Sequence, residues 1–228
     1  MIIRKTPAEI EKMRAAGAAV ARCLKELAEQ IVPGVTTTLD IDRIAEELIR
    51  KHGGASSFKN YRGYPNTVCV AVNEEVVHGI PSQRVLVPGD ILGIDRGIVL
   101  DGWHSDSAIT IAIGGQASPE AARLLRVTKE ALFKGIEQAR PGNRLSDIGH
   151  AIQYHVERNG YSVVRELVGH GIGRSLHEEP NVPNYGRPGK GVRLEEGMTL
   201  AIEPMVNIGS HEVRTLGDSW TVITRDRS

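Results

Sequence analysis

The chain has 228 residues, enough for one sizeable domain or two fused halves. It carries 28 Lys plus Arg against 28 Asp plus Glu, so no net field directs it towards nucleic acid or an anionic membrane. No apolar run approaches the ~20 residues of a membrane span, and the opening residues lack the apolar core of a signal peptide. With only Cys23 and Cys69, and no CxxC pair, the composition favours a reduced, cytoplasmic protein.

Thr6-Pro7-Ala8-Glu9 predicts a helix start, with Thr as N-cap, Pro in the first turn and Glu closing a capping box. An apolar stripe follows (Ile10, Met13, Ala16, Val20, Leu24, Leu27, Ile31) and stops at Pro33-Gly34. A second helix is predicted over about 38–52. β-Branched runs then predict strands at 67–72, 76–77, 91–99 and 103–113. Ser118-Pro119-Glu120 opens a third helix that reaches Ala139 before Pro141-Gly142, and a fourth spans about 146–158. Strands at 161–165, 199–206 and 220–223 complete the order. Two helix pairs, each followed by strands, predict an α+β fold with a largely antiparallel sheet. No low-complexity linker intervenes, so one domain over 1–228 with a shared core is expected, built of pseudo-twofold halves at about 1–113 and 114–228.

The halves carry a repeat. Gly89 to Asp95 and Gly197 to Glu203 share one pattern: a glycine, an apolar strand and a carboxylate six residues on. Their offset of 108 residues also links Pro33-Gly34 to Pro141-Gly142. Carboxylates facing each other across a sheet core are tolerated poorly unless a cation lies between them. Asp101-Gly102, between two alternating apolar runs, is a two-residue hairpin signal. Centring the turn there pairs Leu100 with Trp103, Gly97 with Asp106 and Asp95 with Ala108. Asp95 and Asp106 then share a face as diagonal neighbours, with Cα atoms roughly 7–8 Å apart. Such a pair could hold two cations about 3.5–4 Å apart. His104 falls on the same face, where it is either a spare ligand or, more often for such a residue, a polar neighbour.

Three further segments set a histidine beside glycine or acidic residues, at His78, His170 and His177. Neutral imidazole is both a metal ligand and a proton carrier near neutral pH. Oxygen-rich ligation with one imidazole suits Mn, Fe or Co better than a thiolate zinc site. A metal-bridging water of lowered pKa would be the nucleophile, and metal-assisted hydrolysis the reaction class.

The motif order HGIP (His78 to Pro81), GID with HSD (Asp95, Asp106), VGHGIG (Val168 to Gly173), HEEP (His177 to Pro180), IEPM (Ile202 to Met205) and the closing DSWTVITRDRS resembles the bacterial-type (type I) methionine aminopeptidases. The likeness runs from the KTPAEIEKMR opening to Ser228. It implies a pita-bread fold around a curved antiparallel sheet, two divalent metal ions (Co, Mn, Fe or Zn) and removal of the initiator methionine from nascent chains when the next residue is small. By that resemblance Asp95, Asp106, His170 and Glu203 are the metal ligands, with Asp106 bridging and Glu203 also moving a proton. His78 would hydrogen-bond the substrate, and His177 would stabilise the developing oxyanion. Tyr61, Tyr64, Cys69 and Trp220 fall where the family builds its methionine pocket. Leu176 stands where the family commonly has Phe, which keeps that wall apolar.

The family continues past the DRS signature into a strand bearing one more bridging glutamate. The chain is therefore expected to be C-terminally truncated, with four of five ligands. Asp218, beside a turn, and Asp226, in a charged tail, are poor replacements. The alternative is a catalytically impaired or metal-free peptide-binding protein of the same shape. A proline-directed peptidase is disfavoured, since those usually add an N-terminal domain. The expected partners are nascent N-termini, with transient ribosome contact implied only by the family's role. A monomer without nucleic-acid or membrane binding is expected.

Overall fold

The computed structural model describes Met1 to Ser228. Helix α1 (Pro7–Ala28) begins as the sequence predicts: Thr6 Oγ1 accepts from Glu9 N–H, and the Glu9 carboxylate accepts from Thr6 N–H. Two donors that a helix end leaves bare are thereby satisfied. Ala16, Val20, Leu24 and Leu27 of the stripe are buried, while Ile31 lies past the helix end. Helix α2 (Thr38–Lys51) uses a second capping box, Thr37 with Asp40, not anticipated from the sequence. Helices α3 (Pro119–Gln138) and α4 (Leu145–Arg158) form the later pair.

In the first half, strand β4 (Ile91–Leu100) pairs along one edge with all of β5 (Trp103–Ala112). Its other edge is shared by two short strands, β1 (Ala55–Ser56) and β2 (Cys69–Val72). The strand β3 (Glu75–Val77) leaves this sheet and pairs across the molecule, as described below.

The second half is cut into shorter pieces. Its strands are β6 (Ser162–Val163), β7 (Gly169–Gly171), β8 (Glu178–Val182), β9 (Leu200–Ala201), β10 (Val206–Asn207), β11 (Val213–Thr215) and β12 (Val222–Thr224). β7 lies between β8 and β9, β10 pairs with β6, and β12 lies between β11 and β3, so that last ladder joins the halves. Every pairing is antiparallel, as expected. The single sheet expected is instead four hydrogen-bonded pieces. The strand expected over 199–206 breaks between β9 and β10, around Pro204, which has no N–H to give a ladder.

The expected shared core also resolves differently. One cluster packs α1 and α2 on the first sheet through residues such as Leu24, Ile41 and Ile94. Another packs α3 and α4 on the second-half strands through Val127, Ile152 and Val182. A small third cluster mixes both halves: Phe58, Tyr64 and Cys69 meet Ile172 and Leu176. The candidate site opens directly above that junction.

Candidate metal centre and peptide pocket

The hairpin has the register that the Asp101-Gly102 turn predicts, with Leu100 opposite Trp103, Gly97 opposite Asp106 and Asp95 opposite Ala108. Both turn residues take left-handed φ, 51° and 74°, which matches the twist of a two-residue hairpin. Asp95 and Asp106 thus project from one face. On the other edge of β4, Cys69 sits directly opposite Asp95 and brings its thiol to the same face.

His170 occupies the middle of β7, where only glycines can flank it. A Cβ on Gly169 would strike Ala201 O, and one on Gly171 would strike Glu179 O. Without those side chains, β8 and β9 close on β7 from both sides and leave His170 only 4% exposed. Glu203 follows β9, and its backbone is held by Asn184 Nδ2, which donates to Glu203 O at 2.7 Å.

The His170 ring has a defined orientation. Gly171 O, 2.8 Å from Nδ1, can only accept, so Nδ1 carries a proton. Nε2 then faces acid on two sides, 3.3 Å from Glu203 Oε1 and 3.7 Å from Asp106 Oδ2. Glu203 Oε1 is itself buried without a hydrogen-bond partner, although the rest of its side chain borders the cavity. Burial, then Asp106 and Glu203, push the Asp95 carboxyl well above the usual carboxylate range. Burial, then Asp106, push Glu203 up to about 7. For His170 burial works downwards, but Asp106 and Glu203 outweigh it and raise its pKa.

Crowded acids around one imidazole are the arrangement a cation relieves. The donors press on one another and do not surround a common point. Their chemistry nevertheless fits divalent metal: three carboxylates, one imidazole whose second nitrogen is tied to a backbone carbonyl, and an orphaned buried carboxylate oxygen. His104, the spare ligand, is engaged elsewhere, with Nδ1 2.9 Å from Ser57 Oγ. Asp218 accepts from Trp220 N, Thr221 N and Thr221 Oγ1, and Asp226 from Ser210 N and Ser228 N, so each serves its own turn.

Around this cluster lies a cavity of about 160 Å³. Its wall holds every residue to which the family resemblance gives a role: the four acid and imidazole donors, His78, His177, Tyr61, Tyr64, Cys69, Leu176 and Trp220. Tyr64 is buried, with its hydroxyl 2.9 Å from Gly79 O and its ring edge-on to Trp220 at 5.0 Å. Burial, then Asp95, drive the Cys69 thiol well above its ordinary value, so it lines the cavity as a small neutral group. His78 directly follows β3 with φ 58°, a costly conformation for a residue with a Cβ. Gly79 beside it has no room for a Cβ, which would strike Val70 O, so the chain there lies tight on β2.

His177 stands at the mouth, its ring centroid 4.1 Å from that of His170 and its Nδ1 2.7 Å from Tyr61 Oη. Burial, then the neighbouring His170, lower its pKa to about 4, so it is neutral at physiological pH. The next residue, Glu178, forms a buried ion pair with Lys5 at 2.6 Å and accepts from Ser175 N at 3.1 Å. This clamps the loop that carries His177.

Sequence reasoning missed two wall residues, Phe58 and Arg62. Their signal was their place beside the two pocket tyrosines, within 58–64. It also missed the Lys5–Glu178 clamp, whose partners are 173 residues apart. A larger hollow, about 560 Å³, opens between α1 and β5, but its wall is mainly aliphatic, and its two charged groups, Lys25 and Glu29, are exposed and face each other.

Residues 11–222 match metallopeptidase family M24. The chain is 55% identical to the methionine aminopeptidase of Clostridium acetobutylicum, over 100% of this chain and 91% of that protein. It is also 55% identical to methionine aminopeptidase 1 of Bacillus subtilis, over 99% of this chain and 90% of that protein. The crystal structure of the Thermotoga maritima methionine aminopeptidase superposes with a TM-score of 0.96 at 48% identity, covering 100% of this chain and 91% of that one. A prolidase from Pyrococcus furiosus shares the fold more distantly, with a TM-score of 0.77 at 25% identity over 89% of this chain and 57% of its own. With the acid and imidazole cluster, the apolar pocket beside it and full-length likeness in agreement, this chain belongs to metallopeptidase family M24 and, within it, to the type I bacterial methionine aminopeptidases.

Proposed function

We propose that this chain removes the initiator methionine from nascent proteins and peptides whose second residue is small, acting in the cytoplasm with two divalent cations held by Asp95, Asp106, His170 and Glu203. Bound there, the cations (Co, Mn, Fe or Zn) would polarise the scissile carbonyl and acidify water into a nucleophile at neutral pH. The observation that carries the reading is the His170 imidazole. Its Nδ1 is committed to Gly171 O, so its free Nε2 lies between two acids beside an apolar pocket.

The chain's own groups divide the remaining work. Phe58, Tyr64, Cys69, Leu176 and Trp220 offer the methionine side chain a largely apolar wall. His78, held by its strained backbone at the cavity wall, is placed to hydrogen-bond the substrate near the scissile amide. If Tyr61 Oη donates to His177 Nδ1, the neutral ring keeps its proton on Nε2, a donor for charge developing on the carbonyl oxygen. Glu203, whose Oε1 lies 3.3 Å from His170 Nε2, would accept and return a proton as well as hold metal.

The test is release of methionine from a Met-Ala-Ser peptide with added Mn or Co, and with a chelator. Metal-dependent, chelator-sensitive release is expected. Release that ignores the chelator, or no release from a folded, metal-loaded chain, would overturn the reading.

A further inference from the structure

The wall that carries Tyr64 and Cys69 is not set by strand pairing alone. Cys69 opens β2, but the residues leading into it, 66–68, lie outside every strand. One side chain of α2 holds their backbone instead. Asp42 Oδ1 accepts from Thr67 N at 2.7 Å and from Val68 N at 3.2 Å. Its Oδ2 accepts from Asn66 Nδ2 at 2.8 Å. Three donors from consecutive residues on one carboxylate form a charge-assisted clamp, the stronger kind of hydrogen bonding.

The carbonyl sides of the same two residues are tied to the pocket. Val68 O accepts from Tyr64 Oη at 3.0 Å. Thr67 O accepts from Ser56 Oγ at 3.2 Å, and that oxygen accepts in turn from Phe58 N at 3.1 Å. Phe58, Tyr64 and Cys69 all line the cavity, so each is one or two bonds from the clamp. Thr67 and Val68 are 1% and 0% exposed, which leaves no bulk water to replace a lost partner. Asp42 is half-buried and forms no part of the cavity wall. Any influence it has on substrate must pass through the residues it holds.

We propose that Asp42 is a positioning residue for substrate selection: by fixing residues 66–68 it sets the spacing of Tyr64 and Cys69, and so the fit of the pocket around an unbranched methionine side chain. This rests on the aminopeptidase reading above. An apolar pocket tells side chains of similar size apart only as far as its walls keep their places. Releasing the clamp frees Val68 on one side and leaves Tyr64 bonded to a peptide that can move. The wall then yields to a branched side chain that the held pocket refuses.

The test compares kcat/KM for Met-Ala-Ser and Leu-Ala-Ser on metal-loaded wild type, Asp42→Asn and Asp42→Ala. Alongside, the alkylation rates of Cys69 and Cys23 by iodoacetamide are read by peptide mass. Both thiols are free and buried, and Cys23 lies on α1 outside the cavity wall, so it serves as the internal control. The Met-to-Leu ratio should fall about 10-fold in Asp42→Ala. In Asp42→Asn, whose neutral amide oxygen is a weaker acceptor, it should fall about 2- to 3-fold. Cys69 should become more reactive relative to Cys23 in the same order, as expected for a local opening. An unchanged Met-to-Leu ratio in an active Asp42→Ala, or Cys69 and Cys23 rising together, would overturn the proposal and leave the aminopeptidase reading standing. If Asp42→Ala does not fold, the same two ratios in Asp42→Asn decide. A wild type that releases no methionine would sink both.

Discussion

The two halves of this molecule bring their donor groups to one cavity by opposite means. In the first half a ten-residue strand pairs along its whole length with its hairpin partner, so Asp95 and Asp106 are placed by ladder geometry alone. In the second half the corresponding sheet is a set of two- to five-residue strands, and His170 and Glu203 depend on close backbone approach and side-chain anchors. Gly169 and Gly171 allow β8 and β9 to close on His170, and Asn184 ties down Glu203. A regular ladder needs little besides its register. An irregular one needs particular residues at particular points, and is correspondingly easier to damage by a single atom.

The comparison breaks most completely at its chemical end. Asp106→Ala removes a donor supplied by the rigid half and should cut methionine release to below about one-thousandth while the fold survives. His177→Ala, on the clamped loop, should lower turnover by about 10²–10³-fold with metal content unchanged. Turnover assays paired with metal analysis separate the two. Near-normal activity in Asp106→Ala would mean the hairpin does not present that carboxylate to the substrate, and metal loss in His177→Ala would make it a ligand.

Next in size is the tie between the halves. The Lys5–Glu178 pair is buried, with side-chain exposures of 2% and 6%, and Glu178→Gln, which removes the charge that Lys5 faces, should cost about 3 kcal/mol in denaturant unfolding. Burial raises the Glu178 pKa, but hydrogen bonds from Lys5, Ser175 and Arg174 outweigh it, leaving the carboxyl below its ordinary 4.5. A depressed carboxyl contributes stability that is complete above about 4.5 and lost as pH falls through the lower folded value. The acid limb of the stability curve should therefore be shallower in Glu178→Gln than in wild type. Parallel acid limbs would show that the pair is not linked to folding in this way.

The finest test compares one glycine from each half. Gly171→Ala drives a methyl group into Glu179 and Glu178 carbonyls, and should destabilise by about 1–3 kcal/mol and weaken metal binding through His170. Gly93→Ala, inside the long ladder, would meet Ala71 Cβ at 3.4 Å, an ordinary contact, and should cost less than about 1 kcal/mol. Equal losses at both positions would erase the distinction between the halves.

Legibility in the sequence follows the same division. Thr6 and Glu9 announce α1 because both partners of the capping box lie within one turn, and Asp101-Gly102 sets the hairpin register because a two-residue loop leaves no freedom. Local chemistry of this kind is written in adjacent letters. β7 is three residues, Gly-His-Gly, with no alternation to detect; its strand character comes from β8 and β9 on either side. The break around Pro204 shows only the missing N–H in the letters, not that the flanking segments would choose different partners. The roles assigned to the site histidines came from family resemblance, since a histidine beside glycine has many uses. The placement of Arg62 at the cavity mouth depends on two left-handed residues that no periodicity signals.

The N-terminal segment has a consequence for how the chain comes to exist as a working molecule. Arg4 reaches Glu195 and Glu196 O, Lys5 N–H donates to Gly197 O, and Lys5 Nζ closes on Glu178. Residues 4 and 5 therefore wait for partners made almost two hundred residues later. Local helices and the first hairpin can assemble during synthesis, but the loop bearing His177 cannot be locked until Glu178 has also emerged. During translation, the first half can be built before the pocket is complete.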